Sequence, residues 1–123
     1  MNATVIYPRT KTFEVPIPPS NDIFLDAALN AVWQECQGGI EEILGRPTEL
    51  DKMNANGAQL RSSMVGDIIS IQGRYFIVAA VGFIEVSMEV AERWQGLPWQ
   101  NIMMGWDYCC KYHNLGNPIN VIK

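Results

Sequence analysis

The stretch RSSMVGDIISIQGRYFIVAAVGF, residues Arg61 to Phe83, carries the clearest fold signal in the chain. Two runs rich in β-branched and aromatic residues, DIISI and YFIVAAVGFIEV, flank Gln72, Gly73 and Arg74. A short glycine-containing break between such runs predicts a β-hairpin. Apolar side chains fill both alternating sets of positions in the second run, so we expect one strand covered on both faces. Helices would cover one face, and another layer, such as a second subunit, would cover the other.

The segments before the hairpin supply an edge strand and a helix. Residues 4–18, TVIYPRTKTFEVPIP, predict two short extended pieces and an exit loop, because prolines bar both helix and central strand. Residues 20–39 repeat apolar side chains at helical spacing, which predicts an amphipathic helix of about four turns capped by Ser20 or Asn21. Residues 40–60 give a weaker signal, and LDKMNANGAQL within them is typical of a loop.

The C-terminal part is predicted to be helical. Ser87 can cap the helix MEVAERWQ, and Pro98 suits the first turn of a second helix, PWQNIMMGWDYCCKYHN. The apolar arc of this last helix is wide, which favours an oligomer interface or a pocket wall. We therefore expect an α+β fold in a single domain, residues 1–123. A small antiparallel sheet, made of the N-terminal strand and the central hairpin, would pack with one central helix and two C-terminal helices.

Charge and composition narrow the class of protein. The chain has 123 residues, 48% of them hydrophobic, and a formal net charge of −4. Its nine lysines and arginines are scattered and outnumbered by 13 carboxylates, so direct DNA or RNA binding is not expected. The N-terminus lacks a signal-peptide pattern and no apolar run is long enough to span a bilayer. We expect a protein of the host cytoplasm with no membrane partner.

The reactive residues do not form a recognisable catalytic motif. Cys36, Cys109 and Cys110 include no C-x-x-C pair, which favours reduced thiols, and with one histidine, His113, a zinc site is not expected. Nucleophile-elbow, phosphate-loop and dinucleotide-binding signatures are missing from the sequence. A small hydrolase that uses Cys109 or Cys110 with His113 stays an alternative, although such spacing usually marks neighbours on one helix face. The expectation is a protein without catalytic activity or cofactor.

A nucleotide-type ligand needs aromatic faces for its bases and arginine forks for its phosphates, and the chain contains both residue types. Tryptophans at helical spacing are more often core residues, which is the expectation for Trp33, Trp99 and Trp106, and Arg74 in the hairpin turn is more often a solvated charge. Gly82 would let another group approach the backbone closely. The candidate ligand-binding residues are Arg61, Arg74, Phe83, Arg93, Trp94, Asn101 and Trp106.

The hairpin region resembles a known signature. RSSMVGD, a strand, a glycine turn and YFIVAAVGFIEV together resemble the R-S-x-S-V-G-D…Y-x-V-x-x-x-G-F signature of YodL-like small proteins from phages and mobile elements. The resemblance covers residues 61–86, and the second serine is displaced in this chain. It implies a phage or prophage context.

The whole layout is also similar to the phage-encoded Thoeris anti-defence proteins known as signal sponges. That similarity implies homo-oligomers, dimers or larger, that sequester cyclic ADP-ribose isomers at a subunit interface without degrading them. The leading hypothesis is therefore a counter-defence protein that sequesters a nucleotide-type immune signal, either a cyclic ADP-ribose isomer or a cyclic oligonucleotide. The alternative is an inhibitor that docks on a host defence effector, such as a CRISPR nuclease, through aromatic surface or through carboxylates around Glu41, Glu42, Glu49 and Asp51.

Overall fold

The computed structural model describes residues 1–17 and 24–123 and has an α+β fold, as expected from the sequence. Within these residues six strands form one sheet in the order β2-β1-β3-β4-β5-β6. The pairs β1–β3, β3–β4, β4–β5 and β5–β6 are antiparallel. The strands are β1 (Asn2–Tyr7), β2 (Lys11–Pro16), β3 (Ile68–Ile71), β4 (Arg74–Val78), β5 (Phe83–Val86) and β6 (Asn120–Ile122).

Six helices accompany the sheet in the described part of the chain: α1 (Leu25–Glu35), α2 (Glu41–Leu44), α3 (Glu49–Ala55), α4 (Met88–Gln95), α5 (Trp99–Met103) and α6 (Trp106–His113). The Ser87 hydroxyl accepts the Val90 N–H at the start of α4, which confirms this predicted cap. The caps proposed for α1 at Ser20 and Asn21 lie outside the described residues.

The prediction of a loop over residues 50–60 is wrong for its first half, because a capping box starts α3 (Glu49–Ala55). The Thr48 hydroxyl accepts the Asp51 N–H, while the Asp51 carboxylate accepts the Thr48 N–H. These two bonds satisfy backbone donors that would otherwise lack partners at the helix start. Local capping thus outweighs the loop-like composition.

The predicted hairpin is present, but its second run forms two strands. Gln72 and Gly73 have positive φ angles of 50° and 76°, as a two-residue hairpin turn requires. The chain turns again between Ala79 and Gly82, where the Ala79 N–H donates to the Gly82 carbonyl at 3.0 Å. The prediction of one long strand is wrong because apolar content cannot distinguish a strand from two strands joined by an apolar turn.

Gly82 is needed where β5 begins, because the backbone of β6 lies against it. Its φ angle is +74°, and a Cβ atom there would lie 1.8 Å from the Ile122 carbonyl oxygen. The expectation that another group approaches the backbone at Gly82 is confirmed. Strand β6 itself was not predicted. It has only three residues and follows Asn117 and Pro118 closely, so its sequence shows no clear alternation of apolar and polar side chains.

Both faces of the β4–β5 region are buried within one chain. On one face Ile77 and Ile84 join a core cluster with Trp94, Ile102 and Cys109 from the three C-terminal helices. The alternate residues of the same strands are buried as well, namely Phe76, Val78 and Phe83. A second subunit is therefore not needed to cover this sheet. Oligomerisation stays a prediction.

The chain divides into two compact units by its contacts. Unit 1 comprises residues 1–3 and 14–63, and unit 2 comprises residues 4–13 and 64–123. Of the candidate binding residues, Arg61 belongs to unit 1 and all the others belong to unit 2. The expectation of a single domain stays a prediction.

The last predicted helix is two helices in the structure. Gly105, with φ +94°, separates α5 from α6. Its N–H donates to the Ile102 carbonyl at 3.0 Å, which closes the last turn of α5. The prediction of one continuous helix is wrong because a glycine with positive φ stops the regular ladder. The break leaves Met104 exposed between the two helices.

Arg74 is half-exposed, as a solvated charge would be, but it also pairs with a buried carboxylate in the sheet. Its Nε and one terminal nitrogen each donate to Glu85 at 2.8 Å, and the Asn120 side chain donates to the same carboxylate at 2.8 Å. Glu85 is only 4% exposed. These donors lower the pKa of Glu85, most strongly through the Arg74 hydrogen bonds, and outweigh the opposing effect of burial.

The lowered pKa of Glu85 gives a pH-dependent stability. Because the folded pKa lies below the unfolded value of about 4.3, the stabilisation is fully present above that value and is lost as pH falls through the folded pKa. The variant Glu85→Gln is expected to be less stable than the native chain at neutral pH. Urea unfolding of both at several pH values should show the difference shrinking below about pH 4. A difference that stays constant would contradict this expectation.

Candidate functional site: an apolar groove in unit 2

The RSSMVGD signature builds a loop that is fastened to the end of β4. The Gly66 N–H donates to the Val78 carbonyl at 2.9 Å, and the Val78 N–H donates to the Asp67 carbonyl at 2.8 Å. Within the loop, the Met64 N–H donates to the Asp67 carboxylate at 2.8 Å. Asp67 has no exposed surface. Its conspicuous carboxylate is therefore part of the scaffold.

Trp94 of α4 locks this loop against the core. Its indole N–H donates to the Gly66 carbonyl at 2.9 Å, and the side chain is 1% exposed. Gly66 has φ +97°, and a Cβ atom there would lie 2.3 Å from the Cγ2 atom of Ile102. Trp106 packs beside Trp94, with ring centroids 6.0 Å apart and planes tilted by 35°. The tryptophan pair thus connects the signature loop with the C-terminal helices.

A groove of about 510 Å³ opens next to this pair, entirely within unit 2. The turn between β4 and β5 and the segment 103–107 around the break between α5 and α6 supply eight of its thirteen lining residues. Val81, Met103 and Met104 line it and are 72%, 46% and 63% exposed. The complete lining consists of Val65, Ile77, Val78, Ala79, Ala80, Val81, Ile84, Trp94, Met103, Met104, Gly105, Trp106 and Asp107.

Asp107 gives the groove its one charged side chain. It is the second residue of α6 and is exposed. Within residues 1–17 and 24–123 its carboxylate makes neither a hydrogen bond nor an ion pair. Lysine and arginine do not occur in the lining. The groove therefore combines an apolar wall with one solvated negative charge.

The arginines of unit 2 are committed to structural contacts outside the groove lining. Arg93 donates to the carbonyls of His113 and Asn114, at 2.8 and 3.1 Å, and so satisfies the C-terminal end of α6. Arg9 donates to two carbonyls at the C-terminal end of α4. A cation at a helix C-terminus also interacts favourably with the helix dipole. With Arg74 held by Glu85, no arginine of unit 2 is left to bind a phosphate in the groove.

The two arginines of unit 1 also have partners. Arg46 forms a bidentate pair with the buried Glu35, with the shorter contact at 2.6 Å. Arg61 donates to the Ser62 carbonyl at 3.0 Å. The pKa of Glu35 is lowered, chiefly by the hydrogen bonds from Arg46. This pair stabilises unit 1 in the same way that Arg74 and Glu85 stabilise the sheet.

Two of the seven candidate binding residues, Trp94 and Trp106, line the groove. Phe83 is buried in β5. The side-chain nitrogen of Asn101 lies 2.5 Å from the Nε2 atom of His113. The other candidates are the three arginines described above. The tryptophans predicted as core behave differently: Trp99 is 36% exposed, while Trp33 and Trp106 are half-buried.

Sequence reasoning missed Val81, Met103, Met104 and Asp107 as groove residues. The signal that could have found them is the Met-Met-Gly sequence inside an expected helix, because a glycine there can end the helix and leave its last apolar residues uncovered. Val81 could not be placed without knowing that the second apolar run turns at Gly82.

The cysteines do not form an activated pair with His113. The Cys109 thiol donates to the Asn101 carbonyl at 3.0 Å, and its pKa is raised by burial and by neighbouring Cys110. The pKa of Cys110 is raised by burial and by the charge of Asp107. A raised pKa keeps both thiols protonated, whereas a nucleophile needs a thiolate. Within the described ranges no cluster of three histidine, cysteine or acidic side chains could hold a metal ion.

Comparisons with known proteins leave the family open. No protein-family model matches the chain, and neither a curated protein nor a solved structure matches it significantly. The resemblances to YodL-like and to Thoeris anti-defence proteins stay predictions. Across the described part of the chain, every helix is too short or too polar to cross a membrane.

Proposed function

We propose that this protein is a non-enzymatic binding protein that docks an apolar segment of another protein in the unit 2 groove. The observation that carries the proposal is the exposure of Val81, Met103 and Met104 around one groove. The biological setting we propose is phage counter-defence by inhibition of a host effector, on the basis of the signature in residues 61–86.

The composition of the groove suits protein docking. Contiguous exposed apolar surface is rare unless it serves an interaction, and methionine side chains adapt to partners of irregular shape. A partner's apolar side chains would cover Met103 and Met104 and would meet a wall already rigidified by Trp94 and its bond to Gly66. Pre-organisation of this kind lowers the entropic cost of binding.

The carboxylates around α2 and α3 are a weaker candidate for a docking surface than the groove. Asp51 is used in the capping box of α3, and Glu49 pairs with Lys52 at 3.2 Å. Glu41 and Glu42 are exposed at the start of α2. A solvated charge pair on a short helix contributes little affinity. The groove is therefore the better candidate surface.

Met104→Glu is expected to abolish partner capture, because it places a charge on the apolar rim of the groove. Met88→Glu is a matched control, since Met88 is 58% exposed and does not line the groove. The native chain, bound to resin, should recover a stoichiometric protein from host lysate. The Met88→Glu variant should recover the same amount of this protein, whereas the amount recovered by Met104→Glu should fall by at least about tenfold.

Thermal melts of both variants should match that of the native chain, since both methionines are exposed. Equal capture by the Met104→Glu variant and the native chain would refute docking in the groove. A partner recovered only through a surface in unit 1 would do the same.

Sequestration of a nucleotide-type signal is the second candidate. The half-buried Trp106 lines a groove whose 510 Å³ lies within the range of about 300–1,000 Å³ for small-molecule sites. A base could stack on this ring with its phosphates pointing to solvent. Calorimetry with cyclic ADP-ribose isomers and cyclic dinucleotides should then show binding that Trp106→Ala removes, with intact ligand recovered on heating. An absence of heat with all of these ligands would exclude this candidate.

A further inference from the structure

We infer that the unit 2 groove selects a cationic apolar element, namely a lysine or arginine side chain beside aliphatic residues on the docking segment. This inference rests on the proposed docking function and specifies the chemistry of the partner. It arises from the juxtaposition of Trp106 and Asp107 at one end of an otherwise uncharged groove.

The charges around the groove favour a cation. Asp107 is the one charged residue of the lining, and within the described residues its carboxylate forms no ion pair. An ammonium or guanidinium group within about 4–6 Å would gain a charge-assisted contact. A phosphate or carboxylate would instead be repelled by the Asp107 carboxylate. The net charge of −4 also attracts cations to the protein at longer range.

The aromatic wall strengthens this preference. A cation is attracted to the face of an indole ring, and tryptophan is the best side chain for this contact. The cation–aromatic contacts made by Arg74 and Lys111 are to Phe76 and Tyr112, and not to Trp106. The Trp106 ring packs against Trp94, with 6.0 Å between the ring centroids. Trp106 and Asp107 are consecutive residues and line the same groove.

The aliphatic part of the element would fill the remaining wall. Val81, Met103 and Met104 offer apolar surface without hydrogen-bond donors on their side chains. A lysine or arginine side chain has an aliphatic stem that can lie on such a surface while the charged group stays at the rim. The groove thus matches both parts of a basic, aliphatic segment.

The test compares three blocked tripeptides that differ only at the middle position: acetyl-Leu-Lys-Leu-amide, acetyl-Leu-norleucine-Leu-amide and acetyl-Leu-Glu-Leu-amide. Binding is followed by NMR through the indole N–H of Trp106 and the methyl groups of Met103 and Met104. The lysine peptide should bind about 3- to 30-fold more tightly than the norleucine peptide. The glutamate peptide should bind most weakly.

Asp107→Asn should remove most of the preference for lysine over norleucine. Asp26→Asn is the matched control, because Asp26 is also an exposed carboxylate in the first turn of a helix but belongs to unit 1. It should leave the preference unchanged. Both variants change the net charge by the same amount, so a loss confined to Asp107→Asn separates a local contact from general attraction.

Equal binding of the lysine and norleucine peptides would overturn the inference, as would the absence of any change in the groove signals. A lysine preference that survives Asp107→Asn would overturn it as well. None of these results decides the docking proposal, which depends on capture by the Met88→Glu and Met104→Glu variants. A loss of capture by Met104→Glu together with equal peptide binding would show docking without selection for a cation.

Discussion

Replacement of Trp94 by alanine is expected to lower the free energy of unfolding by about 3–5 kcal/mol. The side chain is 1% exposed and belongs to the core cluster with Ile77, Ile84 and Ile102. Its loss removes a large apolar contact area and leaves a cavity that this short helix can only partly close. Urea unfolding followed by circular dichroism would measure the change.

Trp94→Phe separates packing from the hydrogen bond. Phenylalanine retains an aromatic ring but leaves the Gly66 carbonyl, now paired with the indole at 2.9 Å, without this donor. We expect a loss of about 1–3 kcal/mol for this variant. If Trp94→Ala costs less than about 1 kcal/mol, the tryptophan does not hold the signature loop. Groove binding should weaken in both variants because Trp94 also forms part of the lining.

Gly82→Ala is expected to cause the second large loss in the free energy of unfolding, because it forces β6 away from β5. An added Cβ atom would meet the Ile122 carbonyl oxygen at 1.8 Å, and this oxygen belongs to the backbone, which cannot move aside as a flexible side chain can. Positive φ adds a conformational cost of about 1–2 kcal/mol. The overlap adds about 1–3 kcal/mol or detaches β6.

Gly73→Ala provides the control for Gly82→Ala. Gly73 has φ +76°, close to the +74° of Gly82, and a Cβ atom there would have no neighbour within 4 Å. The conformational cost is thus shared, and the difference between the two variants reports the overlap with β6. Hydrogen exchange should show faster exchange of the β5 amides in Gly82→Ala alone. Equal destabilisation of the two variants would contradict the close approach.

The sequence predicted those features that arise from contacts between near neighbours. The hairpin turn was predicted from the glycine-containing break between two strand-rich runs, and Gln72 and Gly73 indeed have positive φ angles. The start of α4 was predicted from the Ser87 cap. Both depend on atoms within three or four positions along the chain. The α+β class follows from the same local patterns, since strand and helix periodicities occupy separate stretches.

The groove could not be predicted, because it forms where the turn between β4 and β5 lies beside the break between α5 and α6. The turn before Gly82 and the break at Gly105 are separated by more than twenty positions, and each looks like continuous apolar structure in the sequence. The partners of the arginines could not be predicted from the sequence either. Arg74 meets Glu85 only through strand pairing, and Arg93 reaches the end of α6 only after the helices have packed.

By itself, the sequence determined the α+β class, the central hairpin and the cap of α4. Tertiary structure decided which charges remain free for a ligand and where apolar side chains stay uncovered. The physical reason is one of range: caps and turns are satisfied by hydrogen bonds within a few residues, whereas burial and ion pairing depend on distant segments. The arginines look like ligand groups in the sequence and become structural in the fold, while Asp107 and the two methionines of the groove become its exposed chemistry.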